Sequence, residues 1–301
     1  MYDLVIVGAG PAGLTAAIYA RRASRSVLVL EAKSCGGQIL NTPDIENYPA
    51  LTHVSGFDFA SQLTRQAKEL GAEIRMEKAT ELRVDGVQKT VVTAKGSYPC
   101  RAVILATGSE NRKLGLENED ALVGRGVSYC ATCDGNFFRR KDVAVVGGGN
   151  TALEDALYLS ELCATVYLIH RRDSFRGDPA TVGRLKQKPN VRFVYNSTVT
   201  KLNADRRLES IEVTNKDGSV QTLPVRGLFV AVGRIPENQN FGKLIRLDEA
   251  GYAVAGENCH TDVPGVFVAG DNRAKEVRQL VTAAADGAVA ATEAGKYLAS
   301  L

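Results

Sequence analysis

Residues 3–31, DLVIVGAGPAGLTAAIYARRASRSVLVLE, have a counterpart in residues 142–170, DVAVVGGGNTALEDALYLSELCATVYLIH. Each begins with a short β-branched run (4–7; 143–146), turns through glycines and continues as an Ala/Leu-rich helical stretch. Each ends on a second β-branched run (27–30; 166–169). Strand, helix and strand in that order, twice over, imply parallel sheets with helices on their faces. The expected fold class is therefore α/β, with two Rossmann-like three-layer domains of the FAD/NAD(P)-binding kind.

The glycines read Gly8-x-Gly10-x-x-Gly13 in the first copy and Gly147-x-Gly149-x-x-Ala152 in the second. The first position allows a tight turn, the second lets main chain approach a pyrophosphate, and the third must be small so that helix packs on strand. Pro11 and Ala12, and Asn150 and Thr151, lie where each helix begins. There free N–H groups and the positive end of the helix dipole face an anion. One such match is weak evidence, but two in the same strand–turn–helix context are hard to assign to chance.

The ends of the second strands separate the two ligands. Glu31 can accept hydrogen bonds from both hydroxyls of an adenosine ribose and would repel a 2′-phosphate. The first site should thus take an unphosphorylated adenosine, such as that of FAD. The second unit carries His170, Arg171, Arg172 and Arg176 at the equivalent place and no acid, and guanidinium forks suit a dianionic phosphate. That site should prefer NADPH to NADH.

Three more stretches resemble strands returning over a bound nucleotide: AVILATGSE, GLFVAVGRIPEN and PGVFVAGDNR. They bring Ala106, Thr107 and Gly108, and later Gly270 and Asp271, to strand ends. The Ala-rich run after Arg278 is helical in period and should return to cover the first nucleotide. The first domain is then split, residues 1–113 with 241–301, around a second domain of residues 114–240. The chain has 301 residues, enough for two cores. A net charge of +3 gives no reason to expect nucleic acid or a membrane surface. No apolar run spans a bilayer, the N-terminus enters a strand directly, and six cysteines are too scattered for a disulfide scaffold. A cytoplasmic location is expected.

Cys130 and Cys133 stand apart from this frame. Cys35, Cys100, Cys163 and Cys259 are isolated, and His53, His170 and His260 sit in no ligand spacing, so no metal site is expected. A redox dithiol is the better reading. A two-residue spacer lets the sulfurs bond, and such motifs commonly lower a thiol pKa. Cys130 lies 17 residues before Gly147, which puts the pair on the NADPH side of the chain.

Nearly the whole sequence resembles the low-molecular-weight, NADPH-dependent thioredoxin reductases. The resemblance rests on GAGPAG, GGQ, ENYP, ATG, CATCDG, GGGNTALEDA, HRRDSFR and GVFVAGD in one order. It implies FAD contacts from Gly37, Gln38, Asn47, Arg278 and Gln279 in addition to those above, and a homodimer. It implies that Cys133 is the sulfur nearest the flavin, that Cys130 attacks the thioredoxin disulfide, and that Asp134 is the general acid. Asp134 can serve only if burial or a nearby thiolate raises its pKa. Phe137 and Phe138, flanked by Arg139 and Arg140, form a candidate docking patch for thioredoxin, with core filling the alternative for at least one of them, and Arg125 resembles another docking position. The chain departs from the family at Val277, where an aromatic is frequent, and at Gly177, where Ala is common. Nicotinamide and dithiol would share the second domain and one flavin, so that domain is expected to rotate about the two crossings, offering the flavin first NADPH and then the disulfide. A ferredoxin–NADP reductase of the same fold would lack the dithiol, and a redox sensor would accept electrons without passing them on.

Overall fold

The structure, a computed structural model, describes residues 1–42 and 44–301, and of Asn41 the main chain only. It divides into two units, Met1–Glu110 with Ile235–Leu301, and Asn111–Arg234. The sequence placed the crossings near residues 113 and 240.

In the first unit, β1 (Tyr2–Val7), α1 (Pro11–Arg22) and β2 (Val27–Glu31) form the expected β-α-β unit. Helix α2 (Gly56–Glu69) leads to β3 (Glu73–Met76), and β4 (Ala79–Asp85), β5 (Gln88–Thr93) and β6 (Gly96–Leu105) form a meander. The sheet order is β3-β2-β1-β6-β5-β4. Strand β6 serves both halves: residues from Cys100 to Leu105 run parallel to β1, and its first residues run antiparallel to β5. Alternation along β1 splits its apolar side chains between two cores. Leu4 and Ile6 face α1 and the C-terminal helix, whereas Val5 and Val7 join Leu82, Val91, Phe241 and Ile245. These are the three layers.

In the second unit, β7 (Ser109–Asn111), at the first crossing, leads to β8 (Val127–Ser128) and the one-turn helix α3 (Ala131–Asp134). The second β-α-β unit is β9 (Asp142–Val146), α4 (Asn150–Ser160) and β10 (Thr165–Ile169). Helix α5 (Pro179–Lys186), β11 (Val191–Val194), the meander β12 (Ser197–Ala204), β13 (Leu208–Asn215) and β14 (Val220–Leu223), and β15 (Gly227–Val230) follow. The order β11-β10-β9-β15-β8 is parallel throughout. Its central strands are buried on both faces, as crossover helices on one side and a meander on the other require.

The chain returns to the first unit through β16 (Arg234–Pro236), adds β17 (Val266–Val268) beside β6 and closes with α6 (Leu280–Ala299). Ala283, Gly287, Ala290, Ala291 and Ala294 give α6 a face of small residues against α1. A Cβ on Gly287 would sit 2.1 Å from the Ala12 carbonyl oxygen, so only glycine permits this approach.

Asp286, on the same helix, fastens the loop after β17. Its carboxylate accepts from Gly270 N (3.0 Å), Lys275 Nζ (3.0 Å) and Arg273 Nη2 (2.8 Å) and Nε (3.2 Å). Burial pushes the Asp286 pKa up, but Arg273, Lys275 and the Gly270 amide outweigh it and hold it below the ordinary value. The sign follows: a carboxyl whose folded pKa is depressed adds stability above its unfolded pKa of about 4 and loses it as pH falls through the lower folded value. An Asp286→Ala variant leaves two buried cations without their anion. It should lose about 3–5 kcal/mol in denaturant melts at neutral pH and far less at acid pH. An equal loss at both would show that the carboxylate's charge is not what matters.

Candidate functional site

The first glycine turn is a main-chain cradle. Gly8 has φ +106°, and a Cβ there would lie 2.2 Å from the Ala106 carbonyl oxygen. The turn therefore fits only against the ATG segment that the sequence assigned to the same ligand. Gly10 caps α1 without any side-chain hydrogen bond, and no atom lies within 4 Å of where its Cβ would be. The first N–H groups of α1 thus face open space, as a pyrophosphate needs. Glu31 stands at the end of β2, buried, and accepts from Ala9 N (2.7 Å) and Lys33 N (2.8 Å).

The remaining expected FAD residues fall in this unit. Gly37 and Gln38 begin the 3-10 turn Gly37–Asn41, and Asn47 Nδ2 donates to Gln279 Oε1 (3.3 Å). Thr107 and Gly108 follow β6, and Gly270 and Asp271 follow β17. Arg278 lies over the Tyr252 ring, 4.0 Å from its centroid, and its buried Nε has no hydrogen-bond partner among the described residues. Cradle, uncapped helix and acidic strand end fit FAD.

The second turn repeats the arrangement. Gly147 and Gly149 precede α4, Gly149 caps it without a side chain, and the space beside Gly149 is open. Asn150, Thr151 and Ala152 form the first turn; Asn150 Oδ1 accepts from Asp178 N (2.8 Å). Arg171, Arg172 and Arg176 are exposed, and the Arg176 and Gly177 amides both bond to the Gly148 carbonyl. This pins the arginine loop to the glycine loop. His170 lies against the glycine turn. Its ring is buried, stacks on Phe175 (5.2 Å) and lies where a Gly148 Cβ would be. Burial and the neighbouring arginines push its pKa down, so the ring is neutral at neutral pH. The positive charge of this loop is carried by its three exposed arginines.

Cys130 and Cys133 are joined in a disulfide, Cα–Cα 5.3 Å, at the start of α3. Cys130 Sγ caps this turn, accepting from Cys133 N (3.2 Å). That amide favours a thiolate on Cys130 once the bond is reduced. Burial pushes the pKa of Asp134 up, opposed by a hydrogen bond from Ser128. The shift is in the direction a general acid requires. The other thiols are quiet. Burial pushes Cys100 up to about 12 and Cys163 and Cys259 up to about 11.

The two phenylalanines part company. Phe138 packs on Phe229 (5.3 Å) and fills the space beside Gly227, whereas Phe137 is exposed. Arg125, Arg139 and Arg140 are exposed as well.

Sequence reasoning missed two groups beside the dithiol. Ser128 contacts Asp134, and buried Glu119 accepts from the amides of Leu114, Gly115 and Leu116 and from Tyr129 Oη (2.7 Å), the residue next to Cys130. Neither belongs to a spacing motif, and both act across turns. It missed a third group as well: Asp44, Glu46 and His53 bring ligating atoms within 4.8 Å of one another, with His53 Nδ1 2.8 Å from Asp44 Oδ2.

The pattern of the pyridine nucleotide-disulphide oxidoreductases matches residues 2–288. A thioredoxin reductase from Listeria innocua is 43% identical over 100% of this chain and 95% of its own. One from Peptoclostridium acidaminophilum is 41% identical over 99% and 97%. The crystal structure of a Streptococcus pyogenes thioredoxin reductase has a TM-score of 0.95 at 38% identity, covering 100% of this chain and 99% of that one. With its nucleotide cradles, its dithiol and this likeness over its full length, the chain belongs to the pyridine nucleotide-disulphide oxidoreductase family.

Proposed function

We propose the following division of labour for an activity that is itself clear: the chain is an FAD- and NADPH-dependent thioredoxin-disulfide reductase acting through Cys130 and Cys133. The observation that carries the proposal is the Cys130–Cys133 disulfide, set in the unit that also holds the second glycine loop. FAD, when bound, supplies the centre that can take a hydride from NADPH and hand an electron pair to a disulfide. Gly8, Gly10, Gly13 and Glu31 hold its pyrophosphate and ribose, and Arg172 and Arg176, with Arg171, hold the 2′-phosphate of NADPH.

Cys130, as thiolate, attacks the disulfide of thioredoxin. The partner's S–S bond breaks, and its leaving sulfur takes a proton from Asp134. Cys133 gives its thiol proton to the now ionised Asp134, attacks the mixed disulfide at Cys130 Sγ, releases the second thioredoxin sulfur, which water protonates, and restores the Cys130–Cys133 bond. Exposed Phe137, flanked by arginines, is the apolar contact for the partner. The unit Asn111–Arg234 turns between half-reactions, since nicotinamide and dithiol ride together and both need the one flavin. The enzyme works as a homodimer in the cytoplasm, a reading supported by the family resemblance. No helix among the described residues is long and apolar enough to cross a membrane.

Purified protein should be yellow and bleach anaerobically with NADPH, and oxidised thioredoxin should restore the colour. Cys133→Ser should bleach but reduce no thioredoxin; retained turnover with thioredoxin would end the dithiol reading. Arg172→Ala and Arg176→Ala should each raise the KM for NADPH about tenfold or more and leave that for NADH nearly unchanged, a loss of one charge-assisted contact. Parallel rises for both coenzymes would remove the arginines from the 2′-phosphate. A reversible cross-link between the two units should stop steady-state turnover, and normal rates with the link intact would exclude rotation.

A further inference from the structure

Asp134 sits where a proton must be both held and released, and a buried carboxyl in that position needs a partner in each charge state. Ser128, at the end of β8, is buried at 3% exposure. Its Oγ lies 2.6 Å from Asp134 Oδ2, accepts from Cys130 N at 3.1 Å and lies 3.3 Å from the Cys130 carbonyl oxygen. One hydroxyl thus bridges the acid and both main-chain polar groups of Cys130.

We propose that Ser128 is a positioning residue for proton transfer, its hydroxyl aiming the Asp134 carboxyl at the dithiol and serving it in both charge states. With Asp134 ionised, the Ser128 O–H donates to Oδ2. With Asp134 protonated, the acid's O–H donates to Ser128 Oγ, and the Ser128 hydrogen turns to the Cys130 carbonyl. No heavy atom moves and no buried polar group is left unsatisfied in either state. The amide of Cys130 fixes the hydroxyl from the opposite side, so the pivot cannot drift from the redox pair.

Burial pushes the Asp134 pKa up, and the Ser128 bond is the one influence that opposes it. The elements packed around it carry other charges: Glu154 and Asp155 on α4, Arg139, Arg140 and Lys141 after Phe138, and the two thiols once reduced. None of the side chains on those elements contributes to the shift in the oxidised protein. Ser128 therefore tunes the acid back toward release without a neighbouring charge.

The inference rests on Asp134 being the general acid, and the experiment keeps the two claims apart. The rate at which pre-reduced enzyme reduces thioredoxin is followed across neutral and alkaline pH for the parent, Ser128→Ala, Ser128→Thr, Asp134→Asn and the Ser128→Ala/Asp134→Asn pair. A general acid fails as pH rises through its pKa. Removing the hydroxyl should move that alkaline limb up by about one pH unit and lower the plateau about tenfold. Ser128→Thr, which restores the hydroxyl, should return the parental profile, and Ser128→Ala should change nothing further in the Asp134→Asn background. A parental profile in Ser128→Ala, or an equal shift with Asn at 134, would overturn the role of Ser128 while leaving Asp134 its own. Parental rates in Asp134→Asn would overturn the acid itself and Ser128 with it. If Ser128→Ala melts early or loses flavin, the size-matched pair Ser128→Thr and Ser128→Val carries the same comparison.

Discussion

Among the described residues, the helices that follow Gly10 and Gly149 begin with no side chain to cap them. At Gly10 and at Gly149 the first N–H groups are left to a ligand and the space beside each glycine is open, whereas at Gly8 and Gly147 a neighbouring main chain leaves no room for a side chain. The rest of the architecture serves that constraint. Parallel strands must end beside those turns, crossover helices must cover the faces, and a strand end must carry either Glu31 or the arginine loop. Placing the dithiol in the same unit as the second of these turns then ties thiol chemistry to nicotinamide binding.

Much of this was legible in the sequence because it is local. A β-α-β unit spans about thirty residues, and its glycines and strand ends fall at fixed offsets. The same is true of a Cys-x-x-Cys pair followed by Asp134. Periodicity could also place α6, since its small residues recur at helical spacing.

What escaped was set by tertiary contact. Ser128 reaches Asp134 across a turn, Glu119 gathers three amides and Tyr129, and Asp286 binds groups 11 to 16 residues away in sequence. None of these pairings follows from spacing. Orientation was equally hidden: packing turns His170 and Phe138 inward, against Gly148 and Phe229. The approach of His53 to Asp44 joins residues nine apart through a loop that no periodicity describes.

The quiet cysteines have a consequence of their own. Cys100, Cys163 and Cys259 are enclosed and hold their protons tightly, so they offer almost no thiolate near neutral pH. A catalyst that repeatedly forms mixed disulfides risks scrambling its own sulfurs. Here an oxidant or a stray disulfide meets the half-exposed working pair or Cys35, not the three enclosed thiols. The fold thereby guards itself against becoming its own substrate.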